Sequence, residues 1–258
     1  MITVKDIDAA LSATAPRTLS EEWDNDGVML CRRMDKPVKK VLTMLEVTPE
    51  GIAVAEKGGY DLIVTHHPLI FRPLKALVGE DYSHFDRLMR ADTAVLSYHT
   101  RMDSAAGGVN DTAAALLGLT SVQPFGGENG CGRIGILPEP LLPSDFAALL
   151  KETFHCTSIR ASVFAEKDKK ISRVAFVGGA GKSFFREAYA AGADAFVTGE
   201  AAHNTFIDCA ALDMCLFDCG HYYTENPVCT RLKELLSDAF GNELSVDVFD
   251  VKSPYISL

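Results

Sequence analysis

Short apolar segments alternate with helical segments along most of this 258-residue chain. The clearest case starts with an apolar run at 38–47, continues through a helix that opens with Thr48 and Pro49, and reaches a second apolar run at 62–64. Thr48 as N-cap with Pro49 at the first helical position is typical of a helix N-terminus. A strand, a helix and a strand in this order form a parallel pair with a right-handed crossover. The pattern therefore predicts an α/β fold with mostly parallel or mixed sheets flanked by helices.

The same alternation is present in both halves of the chain, and the glycine-rich segment 126–130 lies between them. A chain of this length can bury the core of one large domain or of two small ones. We expect two α/β lobes. The first comprises residues 1–125 and is completed by a C-terminal helix and strand at 222–258, and the second comprises residues 126–221.

Composition excludes several functional classes. With 47% hydrophobic and 23% charged residues the chain resembles an ordinary globular protein. A formal net charge of −10 argues against a general nucleic-acid surface, because phosphate binding depends on clustered Lys and Arg. No apolar run approaches the roughly 20 residues that a membrane span needs. The N-terminal segment lacks the pattern of a signal peptide, so we expect a cytoplasmic location.

The seven cysteines are scattered and form no C-x-x-C pair. Cys209, Cys215 and Cys219 lie in an apolar stretch, where cysteine usually behaves as a small buried hydrophobe. We interpret them as reduced and structural, which argues against a thiolate zinc site.

Two adjacent histidines, His66 and His67, follow the apolar run at 62–64 and precede Pro68. Neighbouring side chains on a strand point to opposite faces, but just beyond the strand the backbone curls and both imidazoles can reach one pocket. The C-terminal ends of parallel strands are also where open α/β sheets build their sites. The alternative is one core histidine and one surface histidine.

Two further apolar strands are followed by a histidine and, four residues later, a carboxylate. The strand at 93–99 ends in His99, with Asp103 beyond it, and the strand at 214–218 is followed by His221 and Glu225. Each pair alone is explained by a surface histidine and, for Glu225, by a favourable charge at a helix start. Three strand ends that carry such groups together favour a metal site.

Pro227 restricts the geometry expected for the last pair. It disfavours α-helical backbone at Asn226 and is itself well placed to begin a helix. We therefore expect His221 and Glu225 in a turn before that helix, and not as a helical i,i+4 pair.

The glycine-rich segment 178–183, Gly-Gly-Ala-Gly-Lys-Ser, invites comparison with a phosphate-binding loop. That pattern needs a glycine where this chain has Phe176, and the dinucleotide fingerprint is absent as well. A tight turn and an anion site at a helix N-terminus both remain open. No serine lies in a Gly-x-Ser-x-Gly elbow, which leaves a serine hydrolase without support.

Five motifs occur in a fixed order and together resemble one family. They are Trp23-Asp24-Asn25, the run from Thr65 to Phe71, His99-Thr-Arg-Met-Asp103 with Gly108-Val-Asn-Asp111, Val197-Thr-Gly-Glu200, and Gly220-His-Tyr-Tyr-Thr-Glu225. The whole chain resembles the Nif-three-like dinuclear metal-centre family, also called the GTP cyclohydrolase I type 2 family. The resemblance implies a two-lobed α/β protein, assembled as a toroidal homohexamer with metal pairs facing its cavity.

Carried over position by position, the resemblance implies one ligand set for two divalent ions: His66, His67, Asp103, His221 and Glu225. Glu225 would bridge the ions, and His99 would lie beside them, either as a group that supports the ligands or as a catalytic proton-transfer group. The site is expected where the two lobes meet.

Three imidazoles and two carboxylates suit Zn, Mn, Fe or Ni. Two such ions can lower the pKa of a shared water toward neutrality, which predicts metal-dependent hydrolysis. The resemblance implies that the substrate is a small molecule and that water attacks the ring of a guanine nucleotide. The alternative is a metal-binding or regulatory hexamer without turnover.

The chain departs from the family pattern at two places. Glu46 stands where the family commonly has Asp, which leaves the polar role of that carboxylate open, and Lys182 with Ser183 falls in the family's glycine-serine turn. The chain is too short for the central insertion that some relatives carry, so no regulatory role of that insertion transfers.

Overall fold

The computed structural model describes residues 1–162 and 169–256. The last residues of the strand predicted at 158–164, and part of the basic segment 167–170, lie outside these ranges. The chain divides into two compact units. Unit one is Met1–Ala105 with Val228–Lys252, and unit two is Ala106–Pro227 with Ser253–Leu258.

Helices and strands alternate as the sequence predicts. Numbered in chain order, the α-helices are α1 (Val4–Thr14), α2 (Pro49–Gly58), α3 (Gly79–Arg90), α4 (Thr100–Ser104), α5 (Val109–Leu116), α6 (Pro143–Phe154), α7 (Phe185–Ala190), α8 (His203–Ala211), α9 (His221–Glu225) and α10 (Pro227–Phe240). The strands are β1 (Gly27–Leu30), β2 (Lys40–Met44), β3 (Leu62–Thr65), β4 (Ala94–Ser97), β5 (Thr120–Phe125), β6 (Gly132–Leu141), β7 (Arg160–Ala161), β8 (Ile171–Val177), β9 (Ala195–Thr198), β10 (Cys215–Asp218) and β11 (Ser245–Val248). Short 3-10 turns lie at Arg17–Leu19, Gly181–Phe184 and Gly241–Glu243.

Unit one is built on a five-stranded sheet in the order β1-β4-β3-β2-β11. The strands β4, β3, β2 and β11 are parallel, and β1 is antiparallel to β4 at one edge. Each inner strand is buried on both faces, as expected where helices cover a parallel sheet. One cluster of buried apolar side chains joins the sheet to its helices: Leu42, Met44, Ile52, Ala55, Ile63, Leu88, Val95 and Val251.

The helix starts in unit one follow from their first residues. Thr3 and Asp6 form a capping box on α1, in which each side chain bonds the other residue's backbone N–H. The Thr48 hydroxyl accepts from the Gly51 N–H at the start of α2, and Gly59 ends that helix in the left-handed conformation. The two caps of α2 fix the chain as it enters and leaves the crossover helix between β2 and β3.

Unit two is built on a six-stranded sheet in the order β5-β6-β8-β9-β10-β7. Its centre, β8-β9-β10, is parallel, and the remaining neighbours are antiparallel. Apolar clusters cover both faces of this sheet. One contains Phe146, Phe176 and Phe217, and the other contains Ile134, Phe196 and Leu216. Two α/β units with mixed sheets flanked by helices confirm the predicted fold class.

Several local features differ from the sequence prediction. Strands β1 and β5 lie at sheet edges and were not predicted, because both carry polar or turn-forming residues. The segment 126–130 connects β5 to β6 within the sheet of unit two. Helix α6 has Leu142 as its N-cap, which makes no side-chain cap bond.

Within the described ranges, no helix combines the length and hydropathy required to cross a membrane. The predicted lobes, 1–125 with 222–258 and 126–221, stay a prediction.

Candidate functional site

The carboxyl ends of three neighbouring parallel strands carry the candidate residues of unit one. In the sheet β2 pairs with β3, and β3 pairs with β4, in parallel register. Glu46 follows β2, His66 and His67 follow β3, and His99 follows β4. Since parallel strands end at the same edge of a sheet, the fold brings these side chains together.

Asp24 reaches the same edge from a different direction. It precedes β1, which is antiparallel to β4 with Gly27 opposite Ser97. The beginning of β1 therefore lies beside the end of β4, next to His99.

His66 is completely buried, and its Nδ1 lies 2.9 Å from the carbonyl oxygen of Tyr98. A carbonyl oxygen only accepts hydrogen bonds, so Nδ1 carries the proton of the neutral ring and Nε2 carries the lone pair. Nε2 lies 3.6 Å from Oδ1 of Asp103. Two electron-pair donors that face each other at this separation form an arrangement that a cation stabilises.

His67 and His99 are oriented in the same way by carboxylates. Nδ1 of His67 lies 2.8 Å from Oε2 of Glu46, and Nδ1 of His99 lies 2.8 Å from Oδ1 of Asp24. An acceptor on Nδ1 fixes the ring and directs Nε2 away from it. This is the arrangement of metal-ligating histidines, whose second ring nitrogen usually donates to a carboxylate or carbonyl.

One ring nitrogen from each of His66, His67 and His99 lies within 4.8 Å of the other two. The ring centroids are 5.1–5.8 Å apart. Asp103 belongs to α4, which begins directly after His99, and its N–H donates to the His99 carbonyl. The three histidines and Asp103 thus form one group of candidate ligands, the unit-one set.

The carboxylate of Asp24 is held ionised. Burial raises its pKa, but hydrogen bonds from His99 and Thr100 outweigh burial and lower the pKa to about 2. Both the backbone N–H and the hydroxyl of Thr100 donate to Oδ2. A fixed negative charge beside Nδ1 supports a proton on that nitrogen and leaves the lone pair on Nε2.

The aromatic rings of Trp23 and Phe71 lie over the outer side of His99. Their centroids are 6.3 Å and 5.9 Å from the His99 ring, in edge-to-face geometry. The Trp23 ring is largely exposed. The unit-one set is therefore bordered by apolar surface where it meets solvent.

Unit two carries its candidate residues at the ends of β9 and β10. Glu200 follows β9, and His221 follows the parallel neighbour β10. Nδ1 of His221 lies 2.8 Å from Oε1 of Glu200, and its Nε2 lies 2.8 Å from Oε2 of the buried Glu225. His221 repeats the pattern of unit one, with an acceptor on Nδ1 and a carboxylate facing Nε2. We call His221, Glu225 and Glu200 the unit-two set.

The prediction that His221 and Glu225 lie in a turn is wrong. They occupy the first and last positions of α9 and form an i,i+4 pair. Asn226 keeps α-helical backbone at φ −53° and ψ −31° in spite of Pro227. A following proline disfavours this conformation without forbidding it, and here the contacts of α9 outweigh the preference.

The glycine turn after β8 lies against α9. Gly179 has φ +58°, and a Cβ on it would overlap Oε1 of Glu225 and lie 3.1 Å from Nε2 of His221. Its N–H donates to the hydroxyl of Thr224 at 3.1 Å. Of the two readings left open for this segment, a tight turn is what the structure shows, and the turn supports the unit-two set.

Sequence reasoning missed the roles of Asp24, Glu46 and Glu200 as partners of the histidines. Asp24 and Glu200 belong to motifs that were recognised without a role, and Glu46 was recognised as a departure. Asp24 lies 75 residues from its partner His99 in the sequence, and Glu46 and Glu200 each lie 21 residues from their partner histidines. The available signal was that Asp24 and Glu200 lie in two of the five motifs.

Comparisons with known proteins identify the family. The model of the Duf34/NIF3 (NGG1p interacting factor 3) family matches residues 2–254. The chain therefore belongs to the Duf34/NIF3 family, which confirms the resemblance inferred from the five motifs.

The chain is 36% identical over 221 residues to a protein of Streptococcus pneumoniae named "GTP cyclohydrolase 1 type 2 homolog", covering 83% of this chain and 82% of that protein. Among solved structures, reduced HcgD from Methanocaldococcus jannaschii is similar with a TM-score of 0.84 and 30% identity, covering 96% of this chain and 97% of HcgD. Staphylococcus aureus protein SA1388 is similar with a TM-score of 0.90 and 26% identity, covering 100% and 99%.

Proposed function

We propose that this protein is a metal-dependent hydrolase whose ions are held by His66, His67, Asp103, His221 and Glu225. The observation that supports this proposal most directly is that the histidines of both units are oriented in the same way. In both units an acceptor on Nδ1 directs Nε2 toward a carboxylate or another imidazole. Nitrogen and oxygen donors of this kind suit zinc, manganese, iron or nickel.

The proposal includes the expectation from the sequence that the two sets act together on a pair of ions. Divalent ions supply Lewis acidity that lowers the pKa of a nearby water toward neutrality. The protein's part is to hold the imidazoles in one tautomer and to keep the carboxylates ionised. Hydrogen bonds within each unit fix the orientation of the imidazoles, and in unit one the bonds from His99 and Thr100 keep Asp24 ionised.

His99 is proposed as the group that moves a proton. Its Nδ1 is bound to Asp24, so its Nε2 is the atom that would accept a proton and return it. The ionised Asp24 stabilises the imidazolium formed in that step, and a histidine is well suited to proton transfer near neutral pH. The surrounding Trp23 and Phe71 rings reduce the access of bulk water.

The proposed substrate is a guanine nucleotide, with water attacking the five-membered ring. This part is supported by the names of the relatives, such as the "GTP cyclohydrolase 1 type 2 homolog" of S. pneumoniae. Assembly as a toroidal homohexamer and a cytoplasmic location complete the proposal.

The test is a turnover assay on protein loaded separately with zinc, manganese, iron or nickel. Formate and the ring-opened nucleotide are measured by mass spectrometry after incubation with GTP. We expect product from the wild type, and at least a hundredfold less from His66→Ala and His221→Ala. The matched controls are His84→Ala on α3 and His203→Ala on α8, which lie outside both sets.

Absence of product with every metal removes this substrate. If His66→Ala and His221→Ala also keep their metal content, the proposed ligand assignment fails. If the two variants lose their metal and the wild type forms no product, the results support the alternative of a metal-binding or regulatory hexamer without turnover.

A further inference from the structure

A cavity of about 340 Å³ lies within unit two beside His221. Its walls come from the ends of β9 and β10, from the segment around Arg160, and from the C-terminal segment that contains Tyr255. Small-molecule sites begin at roughly 300 Å³, so the cavity can hold one small ring system.

Two tyrosine rings form one wall. The centroids of Tyr223 and Tyr255 are 6.3 Å apart, with an angle of 80° between the ring planes. Gly220 permits this approach: it has φ +88°, and a Cβ there would overlap the Tyr255 hydroxyl and lie 3.0 Å from the Tyr223 ring. A planar ligand can stack on one ring and meet the edge of the other, which is a favourable geometry for aromatic groups.

The charged side chains of the cavity differ in how many of their hydrogen-bonding groups already have a partner within the protein. Asp218 is buried, accepts from the Ala201 N–H at 2.9 Å and from the Gly220 N–H at 3.1 Å, and is paired with Arg160. Arg160 makes its contacts to Asp218 and to the Ala201 carbonyl through Nη2. Its Nη1 and Nε can donate to a ligand.

Glu200 supplies a negatively charged hydrogen-bond acceptor, in contrast to the guanidinium donors of Arg160. Its side chain is 55% exposed, and one carboxylate oxygen is bonded to Nδ1 of His221. With Asp218 already neutralised by Arg160, the cavity has no surplus positive charge for a phosphate. It offers a carboxylate for N–H donors and guanidinium N–H groups for a carbonyl oxygen.

We propose that this cavity binds a planar nitrogen heterocycle with a lactam edge, an N–H beside a ring carbonyl, as in oxopurines. The ring of Tyr255 stacks on the heterocycle and the ring of Tyr223 meets its edge, while Arg160 donates to the carbonyl and Glu200 accepts from the ring N–H. The inference rests on the proposed function, because it names the part of the substrate that unit two recognises. Phosphate groups would extend out of the cavity.

The test is calorimetric titration of metal-free, full-length protein with guanosine, inosine and adenosine. Guanosine and inosine have the lactam edge and adenosine lacks it. We expect both to bind about tenfold more tightly than adenosine, since a site that hydrogen-bonds a polar edge rejects a ligand lacking it. Three variants accompany the wild type: Tyr255→Ala, Tyr255→Phe and, as matched control, Tyr189→Ala on α7.

Tyr255→Ala should weaken guanosine binding about tenfold, the usual effect of losing one stacked ring. Tyr255→Phe keeps the ring and should bind within about twofold of the wild type. Tyr189 is exposed elsewhere in unit two, so Tyr189→Ala should bind like the wild type. Thermal melting confirms that each variant is folded.

The inference is overturned if wild-type protein does not bind guanosine, if adenosine binds equally well, or if Tyr255→Ala binds like Tyr189→Ala. The outcome is separable from that of the proposed hydrolysis. If His66→Ala protein binds guanosine selectively but does not turn over GTP, the cavity assignment is retained independently of hydrolysis. Turnover of GTP with an unchanged KM in Tyr255→Ala retains the hydrolase and removes the cavity assignment.

Discussion

Oε2 of Glu46 lies 2.8 Å from Nδ1 of His67, so the glutamate at this position reaches the imidazole of the neighbouring strand. We expect Glu46→Ala to lower the affinity for divalent metal about 10–100-fold, the usual effect of removing such a partner. Competition with a chromogenic chelator measures the affinity. Glu50→Ala, at an exposed position of α2, is the control and should bind metal like the wild type. Equal affinities in the two variants would contradict the role of Glu46.

The Gly179 turn gives a second prediction, on stability. Gly179 and Gly192 both have positive φ, +58° and +79°, but a Cβ at Gly192 would meet no atom within 4 Å. Gly192→Ala should therefore cost only the backbone strain, about 1 kcal/mol. Gly179→Ala adds the overlap with Glu225 and should lower the free energy of unfolding by a further ~1–3 kcal/mol. Urea unfolding measures both; equal losses would show that Glu225 moves away without cost.

The low pKa of Asp24 predicts a pH dependence of stability. The pKa is 3.8 in the absence of interactions and about 2 in the folded protein. A carboxylate with a lowered pKa stabilises the native state above the unfolded pKa, and this contribution is lost as the pH falls toward the folded pKa. At about 1.4 kcal/mol per pKa unit the contribution is ~2 kcal/mol.

Asp24→Asn removes this titration. The difference in unfolding free energy between wild type and Asp24→Asn should be full at pH 5 and shrink between pH 4 and pH 2. Chemical denaturation at a series of pH values measures it. A difference that stays constant over this range would show that Asp24 is not ionised through its contacts with His99 and Thr100.

A buried ion pair supports the backbone that holds His66. The Arg101 guanidinium is 3.2 Å from Oδ2 of Asp26 and lies 3.9 Å from the centre of the Tyr98 ring. Arg101→Met leaves Asp26 with less compensation, so we expect a loss of ~3–5 kcal/mol in unfolding free energy. The double variant Arg101→Met/Asp26→Asn should lose less than Arg101→Met alone. A double variant that loses the sum of both single effects would contradict the coupling.

Local sequence signals were sufficient for most of the fold. Thr48 and Pro49 mark a helix start that the structure confirms, and the apolar runs at 38–47 and 62–64 coincide with β2 and with most of β3. Edge strand β5 escaped because it lacks a continuous apolar run. Edge strand β1 is apolar from Val28 to Leu30, and it escaped because it is only four residues long and follows a turn-rich segment. Helix α9 escaped because a local rule about proline was outweighed by contacts with residues distant in sequence.

The candidate site was predictable only in part. The histidines after β3 and β4 were found because they follow apolar runs directly. The carboxylates that orient them were not, since Glu46 and Asp24 meet the histidines only through the order of strands in the sheet. Which strands become neighbours is decided by the whole unit, and no spacing within one motif contains that information.

Strand β11 and most of α10 belong to unit one, although more than 120 residues of unit two separate them from its other elements. During synthesis from the N-terminus, β2 therefore keeps an unpaired edge until the end of the chain has been made. All six strands of unit two emerge earlier, so that unit can complete its sheet first. The order of translation thus makes unit one, which contains His66, His67 and His99, the last unit to complete its sheet.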